Sequence, residues 1–290
     1  MEILVTGSDG QLGKALQEVL PKRNCFFATR EDFDITDRKQ VVYQITSVRP
    51  AIVIHTAAYT DVDGCEENKE LAYRVNVQGT ENIALACQKI AATMIYISTD
   101  YVFDGRKNTP YNEEDKPNPL SVYGKTKLQG EEIVKKLPKH YIIRTAWLFG
   151  AGKNFVQAIL KLAPKQEIRV VNDQIGSPTY ALDLAKAIYK IIKISNLTFA
   201  QRASAAKAES QIYHITNSGQ CSWYELAKEI AKLKGLKLKI LPISSKKWKK
   251  IKPDSAKRPK YSVLATKKIN SLGIKMRPWQ EALLDYLKTF

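Results

Sequence analysis

Residues 2–13 read Glu2-Ile3-Leu4-Val5-Thr6-Gly7-Ser8-Asp9-Gly10-Gln11-Leu12-Gly13, and their order decides the fold. The short apolar run predicts a strand, the glycine-rich stretch a tight turn, and residues 11–20 a helix. Three glycines in the spacing G-x-x-G-x-x-G between a strand and a helix suit a phosphate-binding turn. Gly7 permits the sharp bend, Gly10 lets the main chain approach a pyrophosphate, and Gly13 lets helix and strand pack closely. The helix that opens with Gln11 and Leu12 offers unpaired N–H groups to the anion.

The same alternation runs outward along the chain. Strands are predicted at 25–29, 51–55, 93–98 and 141–145, separated by helices at 39–49 and 70–90 and by one starting near Tyr123. This βαβαβ rhythm predicts an α/β fold, a doubly wound parallel sheet of the Rossmann type. Beyond about residue 150 the rhythm loosens, with helices at 154–162, 181–192, 223–234 and 279–290 and strands at 168–171, 212–215 and 238–241. A smaller α/β substrate-binding lobe is therefore expected. Residues 1–150 form the dinucleotide-binding domain in this reading, 151–165 and parts of 180–215 pack back on it, and 166–290 form most of the smaller lobe. Residues 201–211, polar and Ala-rich, read as a mobile surface insertion.

Composition bounds the function. With 290 residues, 44% hydrophobic and 26% charged, the chain has the make-up of a folded enzyme-sized body. Its start lacks the basic and long apolar regions of a secretory signal, and its apolar runs fall well short of a membrane span. Cys25, Cys65, Cys87 and Cys221 form no C-x-x-C pair, and the histidines are isolated, so neither a metal site nor a disulfide framework is expected and a cytoplasmic location fits. The net charge of +17 favours acidic ligands. The basic run KKWKKIKPDSAKRPK at 246–260 reads mostly as a solvated loop. No aromatic-rich RNA motif or recognition helix accompanies the charge, so no nucleic-acid partner is expected.

At the end of the second strand, where an NAD enzyme would present an acid to the ribose 2′-hydroxyl, stands Thr29-Arg30. An arginine there suits a 2′-phosphate, so NADPH is expected, with NADH the alternative. Asp34 and Ile35 could bracket the adenine, although an aspartate capping the next helix fits Asp34 nearly as well.

Tyr123-Gly124-Lys125-Thr126-Lys127 supplies Y-x-x-x-K at the start of a helix, one turn apart on one face. A free tyrosine has a pKa near ~10, and a neighbouring ammonium would make its proton easier to exchange. In so lysine-rich a chain the motif is weak by itself. Position strengthens it: Ser98-Thr99-Asp100 ends a predicted strand 24 residues earlier, at the sheet edge where ligands bind. Thr99 is placed to hydrogen-bond a substrate carbonyl together with Tyr123.

With the turn at 7–13, these residues resemble extended short-chain dehydrogenase/reductases, and more narrowly the dTDP-4-dehydrorhamnose reductase family. STDYVFDG at 98–105, VYGKTKLQGE at 122–131, RTAWLFG at 144–150, NDQIGSPT at 172–179 and RP at 258–259 carry the narrower likeness, which spans essentially the whole chain. The resemblance implies Tyr123 as proton donor, with Lys127 as its electrostatic partner and a holder of the nicotinamide ribose. It places Thr99, Asp100 and Trp147 against the sugar and Ala57, Ala58 and Tyr59 along the cofactor. Asn76 would serve a proton relay or a core hydrogen bond. The implied reaction is NADPH-dependent reduction of a 4-keto sugar nucleotide, with Arg258 the candidate cation for the substrate's diphosphate.

A homodimer is compatible with the family. Ala15 stands in the region where members that bridge subunits through magnesium carry an acid, so no metal is expected. Sugar-nucleotide dehydratases carry an acidic pair after the threonine, whereas here Asp100 precedes Tyr101. Epimerases ordinarily place Ser-Ser near that threonine and retain their NAD. The regulatory subunit of methionine adenosyltransferase, which need not turn over, is the rival from another class.

Overall fold

The computed structural model describes residues 2–201 and 210–290. Strands β1 (Ile3–Thr6), β2 (Cys25–Ala28), β3 (Ile52–His55), β4 (Thr93–Thr99) and β5 (His140–Thr145) alternate with helices α1 (Gln11–Val19), α2 (Arg38–Val48), α3 (Val62–Glu67), α4 (Lys69–Tyr73), α5 (Thr80–Ile90) and α6 (Val122–Val134). Then come β6 (Leu148–Phe149), α7 (Phe155–Lys161), β7 (Glu167–Val171), β8 (Ile175–Gly176), β9 (Thr179–Tyr180), α8 (Ala181–Gln201) and β10 (Ser210–His214). The chain closes with β11 (Cys221–Ser222), α9 (Trp223–Leu233), β12 (Lys239–Ile243), α10 (Ser245–Ile251), α11 (Lys267–Asn270) and α12 (Trp279–Leu287).

The main sheet has the order β10-β5-β4-β3-β1-β2, and its neighbours pair in parallel. Its strands read as apolar runs because both faces are covered. Side-chain alternation sends Ile3, Val5, Ile52 and Ile54 to one side, against Leu16 of α1 and Leu184 and Ile188 of α8. Leu4, Val53, Met94 and Ile142 go to the other, against Val41 and Ile45 of α2 and Ile83 of α5. Each such aliphatic side chain contributes roughly 1.5–3 kcal/mol by leaving water. The strand order reverses between β1 and β3, which opens a crevice between the loops that follow them.

Elements β6, α7, β7, α9 and α12 contribute to a second core. Phe149, Leu226, Ile230, Leu283 and Tyr286 are buried together there. Helix α7, expected to pack back on the first lobe, instead contributes Val156 and Ile159 to this core. Small sheets β11-β8 and β12-β7 tie the lobe together.

Two local readings change. The helix expected over 70–90 is three pieces: α4, a π-helical turn at Arg74–Gly79, and α5. The turn carries Asn76, whose side chain bonds outside the helix, and a π turn is a frequent way to present a side chain like this. The basic run at 246–260 starts within α10, capped by Ser244, which accepts from the Lys247 N–H. Of the predicted insertion at 201–211, residues 202–209 lie outside the described residues.

Candidate active site

The turn after β1 is locked before any ligand arrives. Gly7 has φ +67°, and a Cβ there would come within 2.7 Å of the Ala57 backbone. The Thr56 hydroxyl donates to the carbonyls of Thr6, at 2.6 Å, and Gly7, at 3.1 Å, which pins the loops after β1 and β3 to each other. A Cβ on Gly13 would meet the Gly7 oxygen at 2.4 Å, so this glycine sets how closely α1 approaches the turn. Gly10 stands at the N-cap of helix α1 and no side chain caps it, so the first N–H groups have no side-chain acceptor.

A cavity of about 760 Å³ runs from this turn to the second lobe. Gly7, Gly10, Gln11, Leu12, Arg30, Asp34, Ile35, Ala57, Ala58 and Tyr59 line it, as do Thr99, Asp100, Tyr123, Lys127 and Trp147. Gly13 acts from behind, and Arg258 is not on the wall. Three buried side-chain oxygens lack a hydrogen-bond partner among the described residues: Gln11 Oε1, Asp100 Oδ2 and Thr145 Oγ1. All three belong to residues lining this cavity. Buried polar atoms are normally paired, so their clustering here fits a polar ligand that runs the cavity's length. The uncapped helix start and the glycine turn fit a dinucleotide at one end of it.

Just beyond β2, Arg30 is 83% exposed and pairs at 3.3 Å with Asp34, and the wall also carries Arg74. Asp34 does not cap α2; it accepts from the Thr36 N–H at 2.8 Å, while Asp37 takes the capping position.

At the opposite end, Ser121 caps α6 by accepting from the Gly124 N–H, and so fixes where Tyr123 and Lys127 project. The Tyr123 phenol and the Thr99 hydroxyl meet on the cavity wall. Burial pushes the phenol above the ordinary tyrosine range, and the Thr99 hydroxyl opposes this without reversing it. The expected lowering by Lys127 does not govern the group: the Lys127 ammonium lies 4.1 Å from the centre of the Tyr96 ring. Tyr123 is thus held protonated, which suits a donor.

Burial pulls Lys127 down to about 7, and Glu131, one turn further along α6, opposes that shift. Glu131 is itself fully buried in a two-pronged pair with Arg144, at 2.8 and 2.7 Å, and accepts from the Ser98 hydroxyl at 2.6 Å. Asp100 is pushed up to about 7 by burial, against hydrogen bonds from Ser262 and Thr99. Asn76 takes the core role. Its amide bridges the Tyr59 backbone, at 2.8 and 3.1 Å, and the Thr126 hydroxyl, at 3.1 Å, so it ties the cofactor-side loop to α6.

Arg258 does not line the cavity; it donates to Asp63 at 2.8 Å and to the Ala256 carbonyl at 3.1 Å, and its charge also acts on the buried Tyr101 phenol, a wall residue. From the second lobe the wall receives Lys153, in the loop before α7. Sequence reasoning missed Lys153, Arg74 and Trp223. A lysine among 46 basic residues gives no local signal, and Trp223 reaches the cavity only through the packing of the second lobe. Among the described residues no group of three or more His, Cys, Asp or Glu is placed to hold a metal ion, and no helix is long and apolar enough to cross a membrane.

The chain is similar to known proteins over its whole length. Residues 1–290 match the family described as RmlD substrate binding domain. The spore coat polysaccharide biosynthesis protein SpsK of Bacillus subtilis (strain 168) is 41% identical, over 99% of this chain and 97% of that protein. Among solved structures, a dTDP-4-dehydrorhamnose reductase from Clostridium acetobutylicum superposes with a TM-score of 0.90 at 41% identity, covering 100% of this chain and 99% of the other. A dTDP-4-dehydrorhamnose reductase from Bacillus anthracis, solved in complex with NADP, gives 0.88 at 38% identity over the full length of both.

Proposed function

The chain belongs to the RmlD substrate binding domain family, and we propose that it reduces the C4 keto group of dTDP-4-dehydro-L-rhamnose to give dTDP-L-rhamnose, using NADPH. The observation that carries this reading is one cavity that joins the glycine turn at Gly7–Gly10 to the Tyr123–Thr99 pair and Lys127.

NADPH, when bound, supplies the hydride that adds to C4. As the carbonyl π pair moves onto oxygen, Tyr123 gives that oxygen its phenolic proton, and the Thr99 hydroxyl adds a second hydrogen bond to the same atom. Stabilisation that grows with developing charge lowers the barrier more than it tightens the ground state. The phenolate left on Tyr123 is stabilised by positive charge on Lys127 and regains its proton from solvent. Lys127 also holds the nicotinamide ribose, and Asp100 and Trp147 hold the sugar. Lys153 takes the place expected for Arg258 as the cation facing the diphosphate.

Preference for NADPH follows from Arg30 at the adenosine end, with NADH the weaker alternative; the Bacillus anthracis relative was solved with NADP. The four free cysteines accord with a reaction in the cytoplasm. The test is to incubate the chain with dTDP-4-keto-6-deoxyglucose and a 3,5-epimerase and to follow the loss of reduced-nicotinamide absorbance. NADPH oxidation coupled to dTDP-L-rhamnose formation is expected. No oxidation of either NADPH or NADH would overturn the reading.

A further inference from the structure

Trp147 adopts φ +47°, a left-handed backbone that a residue with a large side chain rarely takes up. Such a conformation persists only where its surroundings hold it, and here three contacts do so. The Trp147 carbonyl accepts from the Thr179 N–H at 3.2 Å, in the β6–β9 pairing. The indole lies against Gly176, where a Cβ would come within 2.4 Å of the ring, so only glycine leaves room for it. Its face is covered by Trp223, with ring centroids 3.6 Å apart and planes 7° apart.

The second lobe is built to deliver Trp223 to that point. β11 pairs with β8 so that Cys221 faces Gly176 and Ser222 faces Ile175. Ser222 then starts α9 through a reciprocal capping box with Glu225, and Trp223 is the first residue of the helix. Phe155 closes on the Trp223 ring from α7, with centroids 4.6 Å apart. A near face-to-face stack is not the arrangement two aromatic rings prefer by themselves; the lobe's packing imposes it. Both indoles stay half-buried on the cavity wall rather than in the core.

We propose that Trp223 is a substrate-positioning residue: stacked on Trp147, it fixes that strained side chain in place, and the two indoles form a single aromatic wall that takes the sugar of the nucleotide-sugar substrate. This rests on the reductase reading above for the identity of the sugar. Trp147 follows β5 and Trp223 opens α9 in the second lobe, whereas the glycine turn follows β1, so the wall is assigned to sugar binding and not to dinucleotide binding.

The experiment compares Trp223→Ala and Trp223→Phe with the parent chain. Two stacked indoles give paired circular-dichroism bands of opposite sign, and Trp223→Ala should abolish them. In the coupled assay that variant should raise KM for the 4-keto sugar nucleotide about tenfold or more, the usual effect of truncating a packed aromatic anchor. Its kcat and its Kd for NADPH should stay within about threefold of the parent, a change under ~1 kcal/mol. Trp223→Phe, which keeps a ring under Trp147, should recover most of the KM. A folded Trp223→Ala chain that loses the paired bands yet keeps the parent KM would overturn the proposal.

The failure of the reductase reading would look different. If the parent chain turns over no substrate, the paired bands are titrated with dTDP-L-rhamnose, which needs no turnover. A saturating change that weakens about tenfold in Trp223→Ala sustains the aromatic wall. No change at any concentration overturns it.

Discussion

Tyr96 grips Lys127 at both ends. Its ring face lies 4.1 Å below the Lys127 ammonium, and its hydroxyl donates to the Lys127 main-chain carbonyl at 3.3 Å. The tyrosine is fully buried in β4, and its hydroxyl sits where a Cβ on Gly130 would come within 2.2 Å, so α6 has a glycine at the point of closest approach. Lys127, the cation proposed to support the proton donor, is thus seated by the sheet as well as by its own helix.

Replacing that seat should move a pH profile. Burial already holds Lys127 down near 7, and the ring favours its charged form. Tyr96→Leu removes that favour, so the Lys127 pKa falls further. Activity that needs the ammonium is present below this pKa and is lost as pH rises through it. The alkaline limb of kcat against pH should therefore shift to lower pH by about one unit in Tyr96→Leu. Tyr96→Phe keeps the ring and should leave the limb near its parent position. An unmoved limb in a folded Tyr96→Leu chain would show that the ring does not tune the lysine.

The two cations proposed for the diphosphate should separate. Lys153 lines the cavity, whereas Arg258 is committed to Asp63. Lys153→Ala should raise KM for the sugar nucleotide by about three- to tenfold, the range for a charged hydrogen bond from an exposed lysine. Added salt should weaken the parent's binding more than the variant's. Arg258→Ala should instead lower the melting temperature, since Asp63 would lose one of its two cations, the other being Lys252 at 2.8 Å. Equal KM values for parent and Lys153→Ala would remove Lys153 from substrate binding.

Arg30 tests cofactor choice. Arg30→Ala should raise KM for NADPH about tenfold, as expected for the loss of a charge-assisted phosphate contact, and leave that for NADH almost unchanged. The pair with Asp34 at 3.3 Å is a surface contact on an exposed arginine, so it holds the guanidinium only weakly against a 2′-phosphate. A parallel loss with both cofactors would mean that Arg30 does not read that phosphate.

What the sequence revealed and what it hid divide along physical lines. The strand, glycine turn and helix of residues 3–19 were legible because periodicity and turn chemistry are local. So were the strands buried on both faces and a helix starting near Tyr123. The π turn at Arg74–Gly79 was not legible, since it depends on Asn76 finding Tyr59 and Thr126 across the fold. The Tyr96 seat, the engagement of Arg258 by Asp63 and the arrival of Trp223 beneath Trp147 are contacts between residues separated by 31, 195 and 76 positions. Spacing encodes none of them. The tyrosine's pKa follows the same division: a lysine one turn away favours a lower value, but burial, which spacing does not show, outweighs it.

The central claim is that the Tyr123 phenol donates the proton in the reduction. Tyr123→Phe deletes that proton and keeps the ring, including its edge contact with Tyr101, with centroids 5.9 Å apart. The decisive measurement is kcat of this variant in the coupled reductase assay, alongside its Kd for NADPH. The account predicts a fall in kcat of about 10²–10⁴, the usual contribution of a positioned general acid, with NADPH binding retained. A variant that turns over at the parent rate would contradict it.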